Sequence, residues 1–418
     1  MLKLLAALAL QNGSKDRQLV IGPGGESSWF RPYLGNGQEV VEWPPLRCEM
    51  PALLQGNVST AMSRVVKDAV RKLLRRGSRS AFSSSAIDLT GVLKRAGVEV
   101  VHFPYQRYFP TSLPFIFEPW DLQHIHLPEL FSKNEIEFRN WLYRQACEEA
   151  SLVVTATHWT KDDLVRCFDL PPSKIAVIPR GAEMSAIGFA PQAIEDTLNK
   201  LQLPQRFALY PAKTWAHKNH MRLFRALAHL RDKEKLVIPL VCTGKPIETS
   251  LESIQRELGT LALDEQVFFT GFLDEDSMRH LYTWAELMVF PSLFEGLGIP
   301  VLEAMASGTP VVCSRVACLP EVAGDAAVFF DPYSIEDMAE KTALVWSDSA
   351  LRSDLKQRGY ANVGAYNWAE AALSFRVAYK HVANRPLNVD EARRWATMLS
   401  TQQIRAVSAE QSKHHNKR

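Results

Sequence analysis

The sequence predicts an α/β protein built from two Rossmann-like, doubly wound parallel sheets in tandem. Three observations predict it. The chain has 418 residues, more than one hydrophobic core usually serves. Short apolar runs alternate with helical patterns along most of it. Those runs are apolar at consecutive positions rather than alternate ones, as in strands buried on both faces.

In the first half the spacing predicts strands at 98–103, 113–117, 152–157 and 175–178, with a helix at 134–150. In the second half strands fall at 207–210, 236–243, 266–270, 287–290, 310–313 and 327–330. Helices lie between them at 219–231, 250–258, 275–285 and 301–306, and follow them at 335–346, 350–363 and 368–382. The polar stretch 188–203 marks the boundary. The expected domains are therefore 1–195, 196–367 with the second sheet, and 368–384 as a helix packing back toward the first domain. Residues 385–418 are a polar tail whose last residues, SAEQSKHHNKR, are expected to be disordered.

Composition narrows the class. Hydrophobic residues make up 46% and charged residues 22%, which suits a globular protein in water. A net charge of +2 gives no argument for a nucleic-acid partner, and none is expected. The six cysteines form no C-x-x-C pair and no zinc-spaced cluster, so they read as reduced core residues of a cytoplasmic protein. No run is long enough to span a bilayer. The opening MLKLLAALAL is too short in its apolar part for a signal peptide and reads as the end of an amphipathic helix.

The most informative segment is FPSLFEGLGIPVLEAMASGTPVVCSRVACLP, beginning at Phe290. A strand ends, a glycine-containing loop follows, and a helix opens with Pro300 and closes at Gly308. Glu295 lies in the loop, and Glu303 is expected in the first helical turn. A helix N-terminus presents unpaired N–H groups and a partial positive charge. Gly296 and Gly298, flanking Leu297, let a phosphate or sugar approach the backbone. A carboxylate there suits neutral hydroxyls, which donate to it. Taken singly, Glu303 is a favourable helix charge and the glycines are a loop. Together they point to a nucleoside diphosphate sugar.

A second anion site follows the strand at 207–210, in YPAKTWAHKNH. Lys213 and Lys218 could neutralise a departing diphosphate without a metal, or be solvated surface lysines. His217 and His220 stand at i, i+3, but no third metal ligand accompanies them. Gly244 and the run Thr270, Gly271, Phe272 also end strands, where ligands of doubly wound sheets bind. In the first half, Asp121, His124 and His126 crowd one loop, and Arg180 ends the last strand. Arg180 could meet an anionic acceptor or line the domain hinge.

These residues carry a resemblance. Glu295-x7-Glu303 within FEGLGIPVLEAMASGTPVV, followed by LPEVAGDAAVFFDP, closely resembles the signature of glycosyltransferase family 4. The match covers roughly 91–381. It implies the GT-B fold, two Rossmann-like domains facing across a cleft. It also implies retaining transfer of a sugar from a nucleoside diphosphate donor to a hydroxyl of a saccharide or lipid-linked acceptor, as in polysaccharide biosynthesis. No cofactor or metal is expected. Within the resemblance Glu295 contacts the transferred sugar and Glu303 the ribose hydroxyls. The loop N–H groups meet sugar and distal phosphate, Lys218 and Lys213 meet the diphosphate, and Thr270–Phe272 lies near the base. Lys213 stands where the family carries arginine. Trp120 precedes Asp121 where the family carries histidine; His124 could substitute for it or be an ordinary loop histidine with its own partners.

The family also begins with a strand and a glycine-rich loop. This chain is read as beginning in the helix that follows, so its first sheet is expected to lack a central strand. That leaves a reading from another class, a nucleotide-sugar-binding protein without turnover. Finally, residues 62–79, MSRVVKDAVRKLLRRGSR, form a basic amphipathic pattern. It suits either an ordinary helix on the sheet or peripheral contact with an anionic membrane.

Overall fold

Strands apolar on both faces must be covered on both faces, and in the six-stranded sheet the chain does so with helices between successive strands. The computed structural model describes residues 7–8, 18–23, 38–43, 89–182, 189–245 and 247–400. The basic pattern at 62–79 and the tail beyond residue 400 lie outside them. The chain divides into two compact units, Met1–Val101 with Phe109–Pro114, and His102–Tyr108 with Phe115–Arg418.

In the first unit β1 (Gln18–Pro23) and β2 (Gln38–Trp43) pair in parallel, Gln18 opposite Gln38. The sequence pattern marks neither strand. Helix α1 (Leu89–Arg95) ends in Lys94 and Arg95, cations suited to a helix C-terminus. It is tied to the 109–114 segment by Thr90–Thr111 at 3.2 Å and Lys94–Ser112 at 2.9 Å.

The second unit holds the two larger sheets, except for Val101 at the start of β3. Strands β3 (Val101–Phe103) and β4 (Phe115–Phe117) lead into α2 (Gln123–His126) and α3 (Lys133–Glu149). Then come β5 (Leu152–Thr155), α4 (His158–Phe168) and β6 (Ile175–Val177). The strands form a four-stranded sheet in the order β3-β4-β5-β6, and β4, β5 and β6 are buried throughout. Helix α4 is capped by the Thr157 side chain, which accepts from the Thr160 N–H.

Helix α5 (Pro191–Lys200) stands where the polar boundary was expected. The second sheet follows: β7 (Ala208–Pro211), α6 (His220–His229), β8 (Leu240–Thr243), α7 (Glu248–Thr260), β9 (Val267–Gly271) and α8 (Glu275–Trp284). It continues through β10 (Leu287–Phe290), α9 (Ile299–Ala306), β11 (Val311–Ser314), α10 (Leu319–Ala323) and β12 (Ala327–Phe330). All six strands expected in this half are present. Their spatial order is β12-β11-β10-β7-β8-β9, all parallel. Winding outward in both directions from β7 leaves a switch point between β7 and β10, where ligands of such sheets bind.

Among the described residues four helices follow: α11 (Ile335–Ser347), α12 (Ser349–Val363), α13 (Trp368–Val382) and α14 (Val389–Leu399). The last occupies part of the expected polar tail, and its start is a capping box between Asn388 and Glu391. Among the described residues no helix is long and apolar enough to cross a membrane.

Candidate active site

The loops after β7 and β10 flank the switch point and carry the two lysines and the first carboxylate singled out above. The β10 loop is held by small residues. Gly298 caps α9 at φ +74°, and a Cβ there would lie 2.6 Å from the Leu319 side chain. A Cβ on Gly296 would lie 2.6 Å from the Trp120 carbonyl oxygen. Leu297 packs inward against Leu302, Cys318 and Val322.

Glu295 is the centre of the site. Its Oε1 accepts from Lys218 Nζ at 2.5 Å and from Ser292 Oγ at 2.6 Å. Lys218 ends a 3-10 turn, Ala216–Lys218, and its Nζ lies 5.2 Å from the centre of the Phe290 ring. The two loops are also sewn together around this pair. Leu293 N–H donates to the His217 carbonyl at 2.8 Å, and Asn219 Nδ2 donates to the Pro291 and Pro332 carbonyls. Ser292 and Asn219 were not anticipated. Asn219 takes the left-handed conformation at φ +63°, a conformation asparagine tolerates better than most residues.

Helix α9 begins at Ile299, so Pro300 is its second residue and Glu303 belongs to the second turn rather than the first. Glu303 Oε2 accepts from the Tyr282 hydroxyl at 3.0 Å. Burial raises its carboxyl above the usual range, against the lowering effect of that hydrogen bond.

Lys213 is exposed at the start of the β7 loop. Gly244, at φ +100°, passes close behind it: a Cβ would lie 3.2 Å from the Lys213 nitrogen. Gly244 N–H donates to the Gly271 carbonyl at 2.8 Å, joining the β8 and β9 ends. Thr270 Oγ1 bonds the same carbonyl at 3.3 Å, and Phe272 is 82% exposed beyond it.

His217 and His220 are buried, and their imidazoles are pushed down to about 3, by burial first and by Lys218 next. Each is therefore neutral when folded but takes a proton below 6.5 once unfolded. Their stabilisation is complete above pH 6.5 and is lost as pH falls toward 3. At pH 5 each costs up to about 2 kcal/mol. Asp121 works in the opposite sense, since burial raises its carboxyl to about 6, and its contribution is lost as pH rises through that value. The urea midpoint is expected to fall between pH 7 and pH 5, and His220→Phe to flatten that slope. An unchanged slope in the variant would remove this histidine from the account.

The first half contributes a loop against the second. Asp121 follows Trp120 and feels both Glu295, which raises its carboxyl, and Lys218, which lowers it. Its Oδ1 accepts from Gln123 N–H at 3.0 Å. His124 is fully buried, hydrogen-bonded to Asn140 at 3.1 Å and packed edge-on against Tyr143, with its imidazole lowered to about 4 by burial. His126 is the histidine nearer the donor loop: its ring stacks on Phe294, the neighbour of Glu295, at 5.0 Å. Asp163 holds it from behind, with both oxygens within 2.9 Å of Nε2. Arg180 is engaged in a buried ion pair with Glu118, which also bonds His102 at 2.7 Å.

One group of metal-capable side chains falls together among the described residues. The ligand atoms of His126, Asp163 and Cys167 lie within 4.8 Å of one another. Arg166 already lies 3.2 Å from the same carboxylate, and burial pushes the Cys167 thiol up to about 11. The group works as a hydrogen-bonded unit that orients His126.

A doubly wound parallel sheet with lysines and a carboxylate at its switch point, following a smaller parallel sheet, fits an α/β protein of the GT-B fold. Residues 194–362 match the family Glycosyl transferases group 1, and residues 55–185 match Glycosyltransferase Family 4. The chain belongs to glycosyltransferase family 4. It is 28% identical over 262 residues to an O-antigen chain mannosyltransferase B of Escherichia coli, 62% of this chain and 68% of that one. It is 30% identical over 275 residues to the serotype-specific mannosyltransferase WbdA of Escherichia coli, 63% of this chain. It spans only 34% of WbdA's length. Among solved structures it resembles HepE of Anabaena, in complex with UDP and glucose, with a TM-score of 0.63. That likeness runs at 15% identity over 90% of this chain and 95% of the other.

Proposed function

We propose that the chain is a retaining glycosyltransferase that moves a sugar from a nucleoside diphosphate donor to a hydroxyl of a saccharide or lipid-linked acceptor. The observation that carries this reading is the Lys218–Glu295 pair, set between two strand-end loops at the switch point. A cation and a hydroxyl acceptor side by side match the two ends of such a donor. Lys218, with Lys213 and the α9 N-terminus, takes the charge of the departing diphosphate. Glu295 orients the sugar through its hydroxyls, and Glu303 receives those of the ribose. The acceptor oxygen bonds to the anomeric carbon on the face from which the diphosphate leaves, and the configuration is kept. With charge balanced by side chains and amides, the reading needs no metal. The relatives named above support a mannosyl donor.

A thermal-shift series with UDP-glucose, GDP-mannose and ADP-glucose tests it. One donor at a hundredfold excess over its dissociation constant adds about 2.7 kcal/mol of stability. The melting temperature is then expected to rise by roughly 5 °C. The same donor should release its nucleoside diphosphate when a mixed saccharide panel is added. No shift with any donor would overturn the proposal. A shift with no release would favour binding without turnover.

A further inference from the structure

We propose that Trp120 and Tyr105 form a stacking platform for a sugar ring of the acceptor, so that the acceptor is a saccharide rather than a simple alcohol. This rests on the glycosyltransferase reading and narrows its acceptor.

Trp120 sits in the left-handed region at φ +66°, where a bulky residue is a true outlier and where strain tends to mark functional sites. Its surroundings hold it there. The indole N–H donates to the Pro104 carbonyl at 2.8 Å, and Gln106 Nε2 donates to the Pro119 carbonyl at 3.0 Å, so both ends of the loop are pinned. The fixed ring is nonetheless 43% exposed. Tyr105, 48% exposed, lies beside it, with ring centres 5.6 Å apart and planes tilted by 51°.

Exposed aromatic residues are common and need no explanation singly. Phe138 and Trp141 form another exposed pair, but they are neighbours at i, i+3 on α3 and neither has a left-handed backbone. Trp120 differs in its strain and in its position. Its own carbonyl packs on Gly296, next to Glu295, and Asp121 follows it within the field of Glu295 and Lys218. The platform is thus continuous with the donor loop. A pyranose offers C–H groups on its faces and hydroxyls around its rim. An aromatic face attracts the former through its quadrupole, and a nearby carboxylate receives the latter. A small polyol or inorganic phosphate has no such face to present.

The test uses the whole chain, without donor, and the probes methyl α-mannoside, α-1,2-mannobiose, maltose, glycerol and inorganic phosphate. Saturation-transfer NMR is expected to show ring protons of one or more saccharides in contact, and no contact with glycerol. Trp120→Ala should weaken that binding roughly tenfold. Tyr105→Ala should weaken it about threefold. Trp120→Phe should retain most of it. In all three the thermal shift with a nucleotide sugar should stay at the wild-type value. Wild-type binding in both Ala variants would overturn the platform, and so would phosphate or glycerol binding in place of the saccharides. Loss of the donor shift in Trp120→Ala would make the residue structural and also overturn it. Should Trp120→Ala fail to fold, Tyr105→Ala decides. Absence of any nucleotide-sugar shift in the wild type would instead strike the parent reading and leave saccharide stacking on Trp120 intact.

Discussion

Replacing Lys218 by methionine is expected to lower turnover about a hundred- to a thousandfold, with the fold intact. The size follows from where the ammonium sits. It is largely screened from water, bonded to Glu295 and set over the Phe290 ring, so its charge acts in a medium weaker than bulk water. On the proposed mechanism the departing diphosphate takes it from Glu295, and that exchange frees the carboxylate for the sugar. Glu295→Gln should therefore cost turnover comparably, yet leave binding of the free nucleoside diphosphate near wild type. Lys218→Met should weaken both diphosphate and donor. The double variant should be little slower than the worse single one, because the two groups act as a unit. It should also recover some stability, with a coupling of about 0.5–3 kcal/mol measured by urea unfolding. Near-normal rates in both single variants would refute these roles.

The largest stability loss is expected from Glu118→Ala. Its carboxylate has no exposure to water and serves two partners, Arg180 and His102. His102 is pushed down to about 3, by burial and then by Arg180, so it stays neutral, and its other nitrogen bonds the Tyr379 hydroxyl at 2.9 Å. Burial also lowers Arg180, to about 10. Removing the carboxylate leaves that guanidinium buried and unpaired, which costs about 3–5 kcal/mol. The melting temperature should drop by roughly 7 °C. Glu118→Leu combined with Arg180→Met should recover most of the loss, since an apolar pair of similar volume replaces the ions. If Glu118→Ala melts within a degree of the wild type, the ion pair is not the anchor described. Arg180 then becomes available for an anionic acceptor, as the sequence alone allowed.

The second sheet was readable because its strands are buried on both faces, which makes each a continuous apolar run such as LMVF at β10. Helix α9 was readable from its proline and glycine, though only to within a residue, and that residue moved Glu303 from the end of the first turn into the second. Helix α4 was missed because its faces are mixed: it reads HWTKDDLVRCF and buries Lys161 and Asp163. Helices α5 and α14 were missed because they lie in stretches read as a polar boundary and a polar tail. The Asn388-x-x-Glu391 pattern was there to be noticed as a helix start. Strands β1 and β2 were missed as short runs flanked by glycine and proline. Within the site, the motif residues could be named, but their partners could not. Lys218 and Glu295 lie 77 positions apart, and choosing between His124 and His126 depends on which way a single helical turn faces.

Helix α4 shows what this costs a ribosome-bound chain. Its first N–H groups, on His158 and Trp159, are received at 2.8 and 2.7 Å by the carboxylate of Glu321. Its Lys161, 1% exposed, donates to the carbonyl of Leu399 at 2.8 Å. These partners are synthesised 163 and 238 residues after the groups they satisfy. The earlier sheet therefore leaves the exit tunnel with α4 capped only by its own Thr157, two of its first N–H groups unreceived and an ammonium bound for burial, and it waits for the later residues. Vectorial synthesis here does not yield a finished first half.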